Sequence, residues 1–150
     1  MTDIEKKIAL LTCSDDRQAY NALKELLEIS KACNQLYPYF NTFVDMMNNA
    51  ENSYIRTRGL RLIAYNAKWD SENKVDSVIG QWLGHIEDEK PIAARQCIKD
   101  AVILAKNKPE LIGVILDALE KRRRIYADAM QNLIGKDRQE AIRKIREFAR

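Results

Sequence analysis

Apolar residues in the segment 52–89 recur at intervals of three and four, which is the spacing of one face of an α-helix. A first stripe is formed by Ile55, Gly59, Leu62, Ile63 and Trp69, and a second by Val75, Val78, Ile79, Trp82, Leu83 and Ile86. Between the stripes, Asp70 or Ser71 can accept the free amide hydrogens of a new helix start. The pattern predicts two amphipathic helices that fold against each other and leave apolar surface for a neighbouring pair.

The same phase recurs on both sides of this segment. Leu26, Leu62, Ile98 and Ile134 are each 36 residues apart, and each lies in the first predicted helix of a pair. In the second helices, Val75, Val78, Ile79 and Leu83 map 36 residues on to Leu111, Val114, Ile115 and Leu119, while Val78, Ile79 and Trp82 map 35 residues back to Phe43, Val44 and Met47. A fixed period with two helices per unit predicts an α-solenoid.

Two stretches carry a resemblance to a known family. The run Tyr54–Asp70 (YIRTRGLRLIAYNAKWD), with Pro91–Ile98 (PIAARQCI) one unit later, resembles the HEAT-like helical repeat family, and in particular small standalone bacterial HEAT-like proteins that have no assigned activity. The resemblance implies a right-handed stack of antiparallel helix pairs. It also implies that the second helices line a concave surface for proteins or nucleic acid.

The expected architecture is therefore all-α, a right-handed α-α superhelix (HEAT/armadillo-like) of about three and a half helix pairs in one domain. A capping helix is predicted over 2–12, repeats over about 14–50, 52–88 and 89–124, and a partial unit over 125–150. In that last unit we expect one helix up to Ile134, a stop at Gly135 and a second helix over 137–150.

Composition narrows the class of protein. With 46% hydrophobic and 31% charged residues, 5 Gly and 3 Pro, the chain is typical of a globular helical domain. No apolar run approaches the ~18 residues of a membrane span, and the N-terminus lacks the pattern of a signal peptide, so a cytoplasmic location is expected. The cysteines, Cys13, Cys33 and Cys97, are isolated and are expected to be reduced. No cofactor is predicted.

Charge is distributed unevenly. The segment 121–150 holds ten basic and four acidic residues, and the sharpest cluster is Lys121, Arg122, Arg123 and Arg124. Four adjacent cations can contact phosphates and give salt-sensitive binding. Cations at a helix C-terminus are also stabilised by the helix dipole, and this structural interpretation is favoured.

A second basic group consists of Arg56, Arg58, Arg61 and Arg95, interleaved with Tyr54, Tyr65 and Trp69. Arg56 and Arg61 are predicted on the outward part of their helix. Arg58 and Arg95 are predicted near the seam between units, with hydrogen bonds to helix ends or to Asp70 and Asp88. Stacking of nucleotides on the aromatic rings is the alternative.

Few side chains have the spacing of a catalytic or metal site. Trp69-Asp70 invites comparison with HEAT-like DNA glycosylases, which combine aromatic and acidic side chains on a concave surface. His85 is the single histidine. It lacks ligand partners at a metal-binding spacing and is expected near a helix end at the surface. Asn66 is expected to be a buried side chain that bonds a neighbouring loop.

The leading hypothesis is a non-enzymatic interaction scaffold that binds a protein or peptide partner. The second helices, over 37–49, 73–87 and 110–124, would form its concave surface, with Tyr39, Met46 and Gln81 among the contacts. The first alternative is nucleic-acid binding through the basic C-terminal half, and the second is a HEAT-like DNA glycosylase.

Overall fold

A computed structural model describes residues 1–121 and 125–149, and within these ranges every regular element is helical. The α-helices are α1 (Asp3–Leu10), α2 (Asp16–Ala32), α3 (Phe40–Met47), α4 (Ser53–Asn66), α5 (Lys74–Gly84), α6 (Pro91–Asn107), α7 (Ile112–Glu120) and α8 (Asp128–Phe148). Short 3-10 turns lie at Tyr37–Tyr39, Ala67–Trp69, His85–Glu87 and Pro109–Leu111. The all-helical class predicted from the apolar spacing is confirmed for these residues.

Short polar side chains start several of the helices. The Thr2 hydroxyl accepts a hydrogen bond from the Glu5 amide at 3.1 Å, and Asp15 and Asn52 cap α2 and α4 in the same way. Pro91 stands in the first turn of α6, where the missing amide hydrogen costs nothing. Pro109 opens the turn before α7. These residues place the helix starts close to where the sequence predicts them.

The first helices of the predicted pairs form a row. α2 packs on α4, α4 on α6, and α6 on α8, while α1 covers the free side of α2. Leu26, Leu62, Ile98 and Ile134 have no exposed surface at all. These four residues, which share the 36-residue spacing, therefore hold equivalent core positions in four successive helices.

The helices α3, α5 and α7 alternate along the chain with the helices of this row. α3 packs on α4 and α5, and α7 packs on α6 and α8. The centre of this arrangement is the fully buried Trp82 of α5, whose indole nitrogen donates to the Leu60 carbonyl of α4 at 3.0 Å. The helices α3 and α4 approach each other closely at Gly59, because a Cβ there would lie 2.6 Å from Met47 N and from Phe43 O. A side chain at position 59 would push the two helices apart.

The C-terminal part differs from the sequence prediction. Gly135 does not stop a helix, since α8 runs without a break from Asp128 to Phe148 and the residues after Gly135 continue its amphipathic pattern. Helix α7 ends at Glu120, and Lys121 is extended with φ −66° and ψ 133°. Over the described residues, no helix combines the length and apolarity needed to cross a membrane.

Candidate binding surface

We use the name second-row face for the exposed positions of α3, α5 and α7, the helices that alternate with the first row. Its exposed positions include Asn41, Thr42 and Asp45 of α3 and Asn48 directly after it, Asp76, Ser77, Gly80, Gln81 and Gly84 of α5, and Gly113, Val114 and Asp117 of α7. The Asn48 amide donates to Gln81 Oε1 at 3.4 Å, which joins α3 to α5. Lys108, just before α7, pairs with Asp76 of α5. These bonds join the end of α3 to α5, and α5 to the segment that precedes α7.

Small residues dominate the part of this face on α5. Ser77, Gly80 and Gly84 are spaced by three and four and lie on one side of the helix. A Cβ at Gly80, Gly84 or Gly113 would meet nothing within 4 Å, and no glycine among the described residues has a positive φ. Glycine in a helix interior costs about 1 kcal/mol relative to alanine, so the fold itself does not explain Gly80, whereas Gly84 and Gly113 stand in the last and first turns of their helices.

The predicted contact residues take different positions. Gln81 is exposed and Tyr39 is half-buried, whereas Met46 is 4% exposed and belongs to the core. The prediction that Met46 contacts a partner is therefore wrong, because its side chain is buried in the core. The repeat from α5 back to α3 is 36 residues by burial, since the buried pair Trp82-Leu83 corresponds to Met46-Met47. The predicted offset of 35 residues placed Met46 at the position equivalent to Gln81, whereas an offset of 36 residues places Asp45 there.

The predicted basic cluster is described only in part. Lys121 is exposed and follows the end of α7. Arg122, Arg123 and Arg124 lie outside the described residues.

A wide groove borders α8 and the end of α7, with a volume of about 1040 Å³. Its lining includes Glu120, Lys136, Arg143, Arg146 and Glu147. Arg146 pairs with Glu120, and Arg143 pairs with Glu140 and with Glu147 at 3.1 Å. Much of the positive charge in this groove is therefore balanced by neighbouring carboxylates.

Asp70 closes the turn between α4 and α5. Its carboxylate accepts from the Tyr37 hydroxyl at 2.6 Å, the Lys74 amide at 2.8 Å, the Val75 amide at 2.9 Å and Lys108 Nζ at 2.5 Å. Burial alone would raise the pKa of Asp70, but the Lys108 and Tyr37 bonds hold it below its usual range. Burial and the bond to Asp70 raise the pKa of Tyr37 to about 12.

This arrangement bears on the proposed catalytic role of Asp70. The side chain of Asp70 is 1% exposed, and both of its oxygens accept hydrogen bonds from within the chain. Trp69 also bonds internally, because its indole nitrogen donates to the Ser30 carbonyl at 2.7 Å. The predicted helix-start role of Asp70 is confirmed. The same bonds leave its carboxylate no surface to offer a substrate.

At the other end of α5 from Asp70, Asp88 lies in the turn between α5 and α6. Arg56 donates to both of its oxygens, at 3.0 and 2.7 Å, and His85 Nδ1 lies 2.9 Å from Oδ2. Arg56 is 5% exposed, so the prediction that it points outward was wrong. Burial would raise the pKa of Asp88, but the His85 and Arg56 bonds place it well below its usual range.

The remaining predicted polar residues are also structural. Arg58 is buried and donates to the Leu11 carbonyl at 2.8 Å, which confirms its predicted bond to a helix end. Arg95 pairs with Asp137 of α8 at 2.6 Å. Asn66 is buried and donates to Ser30 Oγ at 3.0 Å, so its partner belongs to a helix and not to a loop. Each of these residues ties one helix to a neighbour.

No group of three or more histidine, cysteine or acidic residues within 1–121 and 125–149 has the geometry to hold a metal ion. The three cysteines are free, and Cys97 is buried. Comparisons of the chain with protein-family models, with curated proteins and with solved structures find no match. Sequence reasoning missed the second-row glycines, although two glycines four residues apart inside a helix are a visible signal.

Proposed function

We propose that this protein is a non-enzymatic helical-repeat scaffold that binds a protein segment on its second-row face. The observation that carries the proposal is the set of exposed glycines, Gly80, Gly84 and Gly113, which neither backbone conformation nor packing requires. A helix face without side chains lets a partner backbone approach closely. The stability lost at Gly80, inside α5, is then explained by contact with a partner.

The repeat supports the same proposal. Four residues at 36-residue spacing are fully buried in successive helices, as a HEAT-like stack requires. Packed helices hold their surface side chains in place, so that little ordering entropy is lost on binding. Partly buried apolar residues beside the glycines, Val78 and Ile79, add contact area, and Val114 is 42% exposed.

Charge favours a protein segment over nucleic acid on this face. Asp45 and Asp117 are exposed acidic residues of α3 and α7. Carboxylates at these positions repel a phosphate backbone and attract lysine or arginine. The expected partner is a segment of small, apolar and basic residues.

A capture experiment tests the proposal. The tagged protein is incubated with cytosolic extract at moderate salt, with nuclease added to half of the sample. We expect one stoichiometric protein that survives nuclease and that the Gly80→Gln variant fails to capture. Gly135→Gln is the matched control, because it makes the same change at another open helical position outside the second-row face. Loss of all captured material with nuclease would favour nucleic-acid binding through the basic C-terminal half.

A further inference from the structure

A shallow, open groove lies between α2 and α4, apart from the second-row face. It has a volume of about 480 Å³, and its lining includes the cations Lys24, Lys31 and Arg61 and the rings of Tyr20 and Tyr65. Glu25 and Glu28 also line it, but each has a lysine partner, Lys7 at 3.4 Å and Lys31 at 3.1 Å. Lys24 lies 4.9 Å from the centre of the Tyr20 ring and has no carboxylate partner among the described residues.

Arg61 is held at this groove in an incomplete ion pair. Its Nε is 3.5 Å from Asp100 Oδ2, and neither atom has a hydrogen-bond partner among the described residues. Asp100 is 2% exposed, and its other oxygen receives one bond, from Gln96 at 3.3 Å. Arg56 is the contrast, since it donates two short bonds to Asp88 and two more to backbone carbonyls. The internal bonds of Arg56 are complete, and those of Arg61 are not.

We propose that the groove between α2 and α4 binds a small molecule through a phosphate or carboxylate group, with Arg61 as the anchor and Lys24 as a second contact. The Arg61 side chain is 21% exposed and lines the groove, while its Nε is buried beside Asp100. A guanidinium fits the two oxygens of such a group through parallel hydrogen bonds. Tyr20 and Tyr65 wall the site and favour a ligand with a flat apolar part.

Asp100 has a defined role in this site. It is a buried carboxylate that keeps Arg61 in position but competes with an incoming anion for the same positive charge. Removing its charge while keeping its shape therefore strengthens the attraction between Arg61 and an external anion. This consequence separates a built site from a surface that attracts anions through net charge alone.

The test is calorimetric titration at low salt and pH 8, where Asp100 is ionised, with two probes, inorganic pyrophosphate and citrate, which distinguish phosphate from carboxylate preference. We expect one equivalent of at least one probe to bind. Asp100→Asn should tighten binding about threefold or more. Asp117→Asn makes the same change of net charge on the other row, and it should change affinity less than about twofold.

Two further variants remove the contacts. Arg61→Gln combined with Asp100→Asn avoids an unpaired buried charge and should weaken binding about tenfold or more. Lys24→Gln leaves the fold untouched and should weaken binding about threefold. The proposal is overturned if the wild type binds neither probe, or if the Asp100→Asn, Lys24→Gln and double variants all bind like the wild type. It is also overturned if Asp117→Asn tightens binding as much as Asp100→Asn does.

Discussion

Arg56 of α4 and Asp88 of the α5–α6 turn form a two-bond ion pair at 3.0 and 2.7 Å, and their side chains are 6% and 3% exposed. A third arm of the guanidinium donates to the carbonyls of Asn49 and Ala50. One side chain thus fixes the turns that enter α4 and α6. The pair ties α4 to the two turns that precede α4 and α6.

Breaking this pair should be costly. Arg56→Ala leaves Asp88 buried without its main partner, and we expect the free energy of unfolding in urea to fall by about 3–5 kcal/mol. The exposed pair Arg143–Glu140 is the control, because its side chains are about half exposed. Arg143→Ala should cost less than about 1 kcal/mol. Equal losses in the two variants would contradict the role given to Arg56.

The same pair predicts acid sensitivity. The pKa of Asp88 is lower in the folded chain than in the unfolded chain, so the unfolded state binds the proton first as pH falls. The stabilisation is complete above the unfolded pKa of 3.8 and is lost as pH falls towards the folded pKa. The free energy of unfolding of the wild type, measured in urea, should fall steeply below this pH. Asp88→Asn should show a shallower slope, and parallel slopes would contradict the prediction.

Asp100 predicts the opposite pH dependence. Burial raises its pKa to about 7, although Arg61 and Gln96 act against this shift. The folded state therefore holds a proton that the unfolded state releases, and stability falls as pH rises from about 4 to 7. Asp100→Asn removes this loss, so its stability relative to the wild type should increase by about 2 kcal/mol between pH 5 and pH 8. A constant difference between the two proteins would contradict the raised pKa.

Alanine substitution should lower the free energy of unfolding at the closely packed Gly59 and raise it at the open positions Gly80 and Gly135. Gly59→Ala forces a Cβ into the backbone of α3, and we expect a loss of about 1–3 kcal/mol in the free energy of unfolding. Gly80→Ala and Gly135→Ala place the Cβ in open space and should stabilise by about 0.5–1 kcal/mol. Thermal unfolding monitored by circular dichroism would rank the three variants. A stabilised Gly59→Ala variant would show that α3 and α4 are less closely packed than described.

Asp70 is predicted to be a structural residue. Asp70→Ala removes the acceptor of four hydrogen bonds, which come from the Lys74 and Val75 amides, the Tyr37 hydroxyl and the Lys108 ammonium. It also leaves the buried Lys108 ammonium without this carboxylate. We expect a loss of about 2–4 kcal/mol in stability. Asp70→Asn keeps the shape but not the charge, and it should lose less. Unchanged stability in both variants, measured by urea unfolding, would reopen a functional role for this carboxylate.

Local patterns predicted the helices and their core positions well. Leu26, Leu62, Ile98 and Ile134 repeat at a fixed spacing because each fills the same kind of site between first-row helices. Asp70 could be predicted as a helix start because its short side chain and following polar residues are a local signal.

Long-range polar contacts could not be predicted in the same way. Arg56 looks solvent-exposed by helical phase, and its partner Asp88 is 32 residues away in a turn. Gly135 carries a stop signal, yet the helical pattern that continues after it decides the outcome. The one-residue error at Met46 arose because two adjacent methionines fit either offset, and only burial shows which one faces the core.

The most direct test of the scaffold proposal is the affinity of the captured partner for three proteins. Titration calorimetry would compare the wild type, Gly80→Gln and Gly135→Gln, after circular dichroism shows that all three fold. We predict a loss of about tenfold or more for Gly80→Gln, since a side chain at position 80 displaces the partner backbone, and an unchanged affinity for Gly135→Gln. Unchanged binding by Gly80→Gln, with loss in Gly135→Gln, would place the partner on the α8 groove and contradict the second-row face.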